Sequence, residues 1–382
     1  VGARPSRRSL LGALAIGAGG VGAGAVVGRV ALDDETDRSE ADVASPTTEA
    51  KNAPVAATGR HQAGIATPAT PQPFSLTLVA DVPDPAVLSF LPPLGETLLE
   101  FLDDDLHDTG DLTVTVGVGP RIVAGVDAGL PGAEPLPEFV GDTELAPERT
   151  GGDLLLIASA SDPAVLPSAV STLLRTVPGA AERWRQFGFR GPDADGVVRN
   201  PFGFHDGIAV PRGEEELGEN VWLRNGRRTA GGTIAVIRRL RTDIEAFAGL
   251  SVDEQEAVVG RKRVDGAPLS GGERMSEVNL TARTADGRYV TPIGSHARAA
   301  HPGPTGSALM LRRGYSYAEG DEVGLVFTCF QRDLRTFVAT QQRLDEQDQM
   351  MRFVTTTASA GFLVLPGFDR NRPLGATLSE AT

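Results

Sequence analysis

This sequence predicts an α+β fold of two ferredoxin-like βαββαβ domains with antiparallel sheets, built by duplication. Three observations carry the prediction. The chain has 382 residues, 41% of them hydrophobic, which is more than one core usually organises. An apolar strand followed by an amphipathic helix is written twice in each half. A polar stretch without apolar periodicity sets the folded part apart from an apolar leader.

The leader reads "SRRSLLGALAIGAGGVGAGAVVG", with Arg7 and Arg8 ahead of an uncharged stretch from Ser9 to Gly28. It resembles a twin-arginine export signal. A transmembrane helix is the rival, but seven glycines in that stretch lower both helix propensity and apolar transfer energy. Residues 1–31 are therefore read as a signal peptide, leaving no stable membrane span in the mature protein. The expected location is the periplasm, the cell envelope or the extracellular space. No cysteine follows the apolar stretch, which argues against a lipid anchor. Twin-arginine export carries folded proteins, often with a cofactor already inserted.

Residues 32–73 are rich in Ser, Thr, Pro and Ala and read as a flexible polar linker. It ends in "GRHQAGIATPATPQP", where His61 and Gln62 imply more order than a tether needs.

The repeats follow. "FSLTLVADVPDPAVLSFLPPLGETLLEFL", from Phe74, alternates as a strand and then turns helical, and "GTIAVIRRLRTDIEAFAGL", from Gly232, has the same plan. "DLLLIASASDPAVLPSAVSTLLRTV" and "VGLVFTCFQRDLRTFVATQQRL" form a second pair, each an apolar strand, a polar link with Asp and an amphipathic helix. "DLTVTVGV" and "SALMLRRGYSY" supply further strands. The domains are placed at 74–220 and 221–378.

Composition narrows the partners. A net charge of −14 and a pI near 4.9 argue against broad nucleic-acid or anionic-membrane binding and favour cationic or neutral partners. The single cysteine, Cys329, sits in an apolar run and reads as a core residue; cysteine-based zinc and iron–sulfur sites are excluded.

The five histidines can be weighed one by one. His107 lies in the charged run "LDDDLHDTGD" and reads as surface. His61 closes the linker. His205 adjoins Asp206, but neighbours on an extended segment point opposite ways. His296 and His301 lie in "PIGSHARAAHPGPTG", and their spacing does not match a helical zinc pair. Either could still be a single axial ligand of haem, where the porphyrin supplies the equatorial bonds.

"GFHDGIAVP", residues 203–211, places Asp206 between two glycines, Gly203 and Gly207. Glycine serves where φ is positive or something must approach closely. Asp206 is thus held beside a ligand, or in an Asx-turn where it satisfies backbone N–H groups.

Taken together, "GRHQAGI", "GFHDG", "GRKRVDGAPL" and "SHARAAHP…LMLRRGYSY" occur in one order over roughly residues 59–370. They resemble the blocks of the dye-decolourising peroxidases, in particular the exported bacterial branch that includes deferrochelatase/peroxidases. The resemblance implies a haem pocket enclosed by two ferredoxin-like domains, with one haem b per chain. It implies that His296 binds the iron, that Asp206 is the distal acid–base and that Arg312 is the distal arginine, with Arg313 the fallback. Gly203, Phe204, Gly207 and Arg313 would contact the cofactor. One departure concerns His301, which stands before proline where relatives commonly have Asn.

The implied reaction is reduction of hydrogen peroxide with oxidation of an organic or dye-like donor. Asp206 would move a proton between the two peroxide oxygens, and Arg312 would stabilise charge as the O–O bond breaks. If the pocket is too narrow for the donor, Trp222, Tyr315 and Tyr317 are the candidate surface electron carriers, with core packing the alternative. Release of iron from haem with the porphyrin intact is a second reading. A non-catalytic haem carrier is a third, and would not need the Asp206/Arg312 pair. Homo-oligomerisation is left open.

Overall fold

The computed structural model describes residues 53–83, 88–191, 196–303 and 306–379. The leader with Arg7 and Arg8 lies outside the described residues.

The first half runs β1 (Phe74–Asp81), α1 (Leu91–Asp103), β2 (Thr113–Val118), α2 (Pro120–Val126), β3 (Leu154–Ala160), α3 (Val165–Arg175) and β4 (Ala181–Phe189). A hairpin of β5 (Val198–Arg199) and β6 (His205–Asp206) follows, and then α4 (Gly213–Asn220). The second half has β7 (Thr233–Thr242), α5 (Ile244–Ala248), α6 (Val252–Val259), α7 (His296–Ala299), β8 (Leu311–Arg312), β9 (Tyr315–Glu319), β10 (Glu322–Gln331), α8 (Leu334–Gln347) and β11 (Val354–Val364).

The strand order shows the duplication. In the first half it is β2-β3-β1-β4, and in the second β9-β10-β7-β11, so both follow the ferredoxin-like order with every pairing antiparallel. The halves also join twice, and each joint sets the last strand of one half against the second strand of the other. β11 meets β2 at Leu363–Val118 and Val364–Gly117, and β4 meets β9 at Phe189–Ser316. These two short seams close the strands into a ring, with β8 continuing the line of β9 along β10.

A closed sheet with helices outside explains why the strands read as nearly unbroken apolar runs. Leu154, Leu156 and Ala158 of β3 pack outward with Leu94 and Leu98 of α1 and Leu166 and Val170 of α3. Leu155 and Ile157 turn inward to Val79, Trp184, Ile237 and Phe362. In the second half Val236 and Cys329 face outward with Phe337 of α8.

Residues 60–73 correct the expected linker. Ile65 lies in the inner cluster, and the Thr115 hydroxyl donates to Ala63 O at 2.7 Å. The Gln62 side chain fills the β11–β2 seam like an extra peptide group. Its Nε2 donates to Val116 O and Leu365 O at 2.9 and 3.0 Å, and its Oε1 accepts from Val116 N at 2.7 Å. Buried backbone polar groups need such partners, and the short seam leaves these without strand neighbours.

Trp222, Tyr315 and Tyr317 are buried, so none of them is a surface aromatic. Trp222 stacks on His61 at 3.7 Å between centroids, Tyr315 donates to Gln72 O, and Tyr317 lies under the Arg239 guanidinium at 4.2 Å. His107 stacks on Phe101 at the surface.

Candidate active site

The β5–β6 hairpin delivers Asp206. Gly203 and Gly207 both have positive φ, which only glycine takes without strain. A Cβ on Gly203 would sit 3.2 Å from Nη2 of Arg263, and one on Gly207 would sit 2.8 Å from Gly196 O. The glycines therefore turn the chain and let it close on itself. Phe204 is fully buried with Phe202, Phe247, Met350 and Phe353, a cluster that ties this hairpin to the turn after α8. His205 and Asp206 diverge, as strand geometry requires: the imidazole rests against Gly266 and the carboxylate faces β8.

On β8, Arg312 places Nη2 3.4 Å from Asp206 Oδ1, while its Nη1 donates to Ala209 O at 2.9 Å. Arg313 points to the other side, where its Nη2 donates to Pro68 O at 2.8 Å. Arg312 is thus the arginine that reaches Asp206.

His296 opens the short helix α7. The end of α6 presses on that helix: Gly260, at φ +91°, would place a Cβ 2.8 Å from the Cβ of Ala297. The first glycine of "GRKRVDGAPL" thus has a packing reason next to His296. The Arg343 Nε donates to Ala299 O and holds the other end of α7. The ring itself is fixed by Asp348, whose Oδ2 accepts from Nδ1 at 2.6 Å. Asp348 is wholly buried and also accepts from Met350 N. The sequence reading missed Asp348; its only signal was an acid between a helix and an apolar turn. His301 is turned elsewhere, with Nδ1 accepting from Gly303 N and Nε2 3.9 Å from Glu277.

Electrostatics joins the two groups. Burial resists ionisation of Asp206, but Arg312, the Gly207 N–H, His296 and Arg190 outweigh it and hold the carboxyl below its ordinary 3.8. Burial also opposes a charge on His296, and Asp348 more than compensates, raising its pKa. The side chains of His296 and Asp206 keep 39% and 34% of their surface accessible. With Nδ1 bonded to Asp348, Nε2 is the ring nitrogen left to bind a ligand. An imidazole oriented by a buried carboxylate, with a carboxylate and a guanidinium within electrostatic reach, fits a haem with one protein ligand and a polar distal side.

The N-terminal Dyp-type peroxidase family model matches residues 62–190, and the C-terminal one matches 198–369. The chain belongs to the Dyp-type peroxidase family. It is thereby an oxidoreductase of the haem-dependent peroxidase type. A dye-decolorizing peroxidase of Thermobifida fusca is 36% identical over 292 residues, covering 70% of this chain and 67% of that protein. A deferrochelatase of Yersinia pestis is 30% identical, covering 99% of this chain and 95% of the other. The crystal structure of a DyP-type peroxidase from Streptomyces coelicolor superposes with a TM-score of 0.81 at 30% identity, covering 88% of this chain and all of that one. Ferric DtpA of Streptomyces lividans gives 0.80 at 30% identity, covering 87% and 99%. In this Dyp-type peroxidase the duplicated sheets, the Asp206–Arg312 pair and the His296–Asp348 pair belong to one folded unit. Among the described residues no helix is long and apolar enough to cross a membrane.

Proposed function

We propose that this protein is an exported, hydrogen-peroxide-dependent peroxidase that oxidises an organic or dye-like donor. It would use one haem b per chain held by His296. The observation that carries the reading is the Asp206–Arg312 pair, 3.4 Å apart and in the field of a histidine oriented by a buried carboxylate.

A bound haem would supply the redox chemistry between peroxide and the donor. Asp206, ionised, takes the proton of one peroxide oxygen and returns it to the other, which leaves as water. Arg312 is permanently cationic and stabilises negative charge on the departing oxygen. Asp348 would hold the His296 tautomer that leaves Nε2 to bind the iron and would raise its basicity. The twin-arginine leader supports export, and the matched strand–helix plans support domain limits of 74–220 and 221–378.

The test is an absorption spectrum of the purified protein before and after one equivalent of peroxide, followed by turnover of an anthraquinone dye. A haem spectrum that peroxide changes and the dye restores is the expected result. A haem spectrum indifferent to peroxide would overturn the reading in favour of a carrier. The second reading, iron release from haem, is favoured by the deferrochelatase relatives that align with nearly the whole chain. It predicts fluorescent metal-free porphyrin as product, which the peroxidase reading does not.

A further inference from the structure

The residues around Asp206 and Arg312 come almost entirely from the second family segment. The first contributes Phe189 and Arg190, at its very end, to the lining of the cleft beside the pair. Arg190 follows β4, and its backbone N–H is fixed by Pro73 O at 2.7 Å. Its guanidinium then reaches two separate elements. Nη1 donates to Gly314 O at 2.8 Å, and Nη2 lies 3.3 Å from Gly196 O. Gly314 sits in the break between β8 and β9, two residues beyond Arg312. Gly196 O is the atom on which Gly207, next to Asp206, rests. The aliphatic stem and fork pass the Tyr315 ring, 5.5 Å from its centroid.

We propose that Arg190 is a positioning residue of the distal pair: by bridging the β5–β6 hairpin and the β8–β9 break, it sets how Asp206 and Arg312 face each other. The inference rests on the distal-pair reading given above. Two features separate Arg190 from an ordinary structural arginine. Its two side-chain hydrogen bonds among the described residues both go to backbone carbonyls, and its buried Nε makes none there. Asp206 is paired with Arg312 of β8, and His296 of α7 and Arg190 at the end of β4 add favourable charge to its surroundings. A lysine could supply the charge there, but its single nitrogen lacks the two separated donor nitrogens with which the planar fork of Arg190 reaches carbonyls on two elements.

The experiment compares Arg190→Ala and Arg190→Lys with wild type, Asp206→Asn and Arg312→Leu. Haem uptake of both Arg190 variants should equal wild type. Their reaction with peroxide in stopped flow should be slower by about 10–100-fold, the range expected for small misplacement of reacting groups. Arg190→Ala should also lose rate at higher pH than wild type as the solution is acidified, because Asp206 ionises less readily. Arg190→Lys should keep the wild-type pH profile at reduced rate. Added guanidinium should restore part of the rate in Arg190→Ala and none in Asp206→Asn. In the haem-free protein, urea midpoints of Arg190→Ala, Asp206→Asn and the double variant should be non-additive.

Wild-type rates in both Arg190 variants, with Asp206→Asn and Arg312→Leu slow, overturn the inference and leave the distal pair standing. Wild-type rates in all four overturn the distal-pair reading itself. If Arg190→Ala fails to fold, Arg190→Lys decides: a wild-type rate overturns the bridging role, and a slow rate at normal haem uptake supports it.

Discussion

His296 and Asp348 are joined by a 2.6 Å hydrogen bond across 52 residues of chain, and the acid is wholly buried. This bond leaves Nε2 as the imidazole nitrogen that would bind iron under the proposed function. Replacing His296 by Ala should therefore abolish stable haem binding, whereas His301→Ala should not. The Soret band of each purified variant is the measurement. Asp348→Asn keeps a hydrogen-bonding group but removes the charge, and haem loss to an acceptor globin should rise by about 10–100-fold, as for other partners that orient metal ligands.

Asp206 and Arg312 carry the pH behaviour expected of the proposed function. Arg312 and its companions hold Asp206 below 3.8 against the cost of burial, so the base form persists into acid and is lost only as pH falls through that lowered value. Peroxide reactivity should accordingly survive to low pH, in line with the acid preference of dye-decolourising enzymes. Arg312→Leu leaves burial less opposed, so the acid loss of rate should move upward in pH and the plateau should fall. Asp206→Asn should slow the reaction throughout with haem loading unchanged. Stopped-flow rates as a function of pH test all three; a fast Asn variant beside a dead Leu variant would make Asp206 a turn residue only.

Gln62 offers a stability test remote from the chemistry. Gln62→Ala leaves Val116 N, Val116 O and Leu365 O without their present partners at a seam made of two residue pairs. The expected loss is about 1–3 kcal/mol, the cost of stranding buried polar groups. It should appear as a lower urea midpoint with little change in peroxide reactivity of the folded enzyme.

Export is tested by replacing Arg7 and Arg8 with Lys. The pathway reads the arginine pair as an address, so the folded precursor should stay in the cytoplasm. Cell fractionation that still finds the variant outside would remove the twin-arginine assignment.

The sequence by itself determined the duplicated strand–helix plan, because strands buried on both faces must be written as apolar runs and helices as one-sided ones. It also singled out Asp206, Arg312 and His296, since their family blocks are local in the chain. Only the tertiary structure decided what those residues meet. The seams at Val364–Gly117 and Phe189–Ser316, the Gln62 amide that fills one of them, and the Asp348 and Arg190 contacts all join distant parts of the chain. A polar side chain carries no periodic mark of its partner, so spacing could not reveal them. The same holds for the charge of Asp206. Burial and Arg312 act with opposite sign on its ionisation, and which prevails depends on distances that exist only once the hairpin and β8 stand side by side.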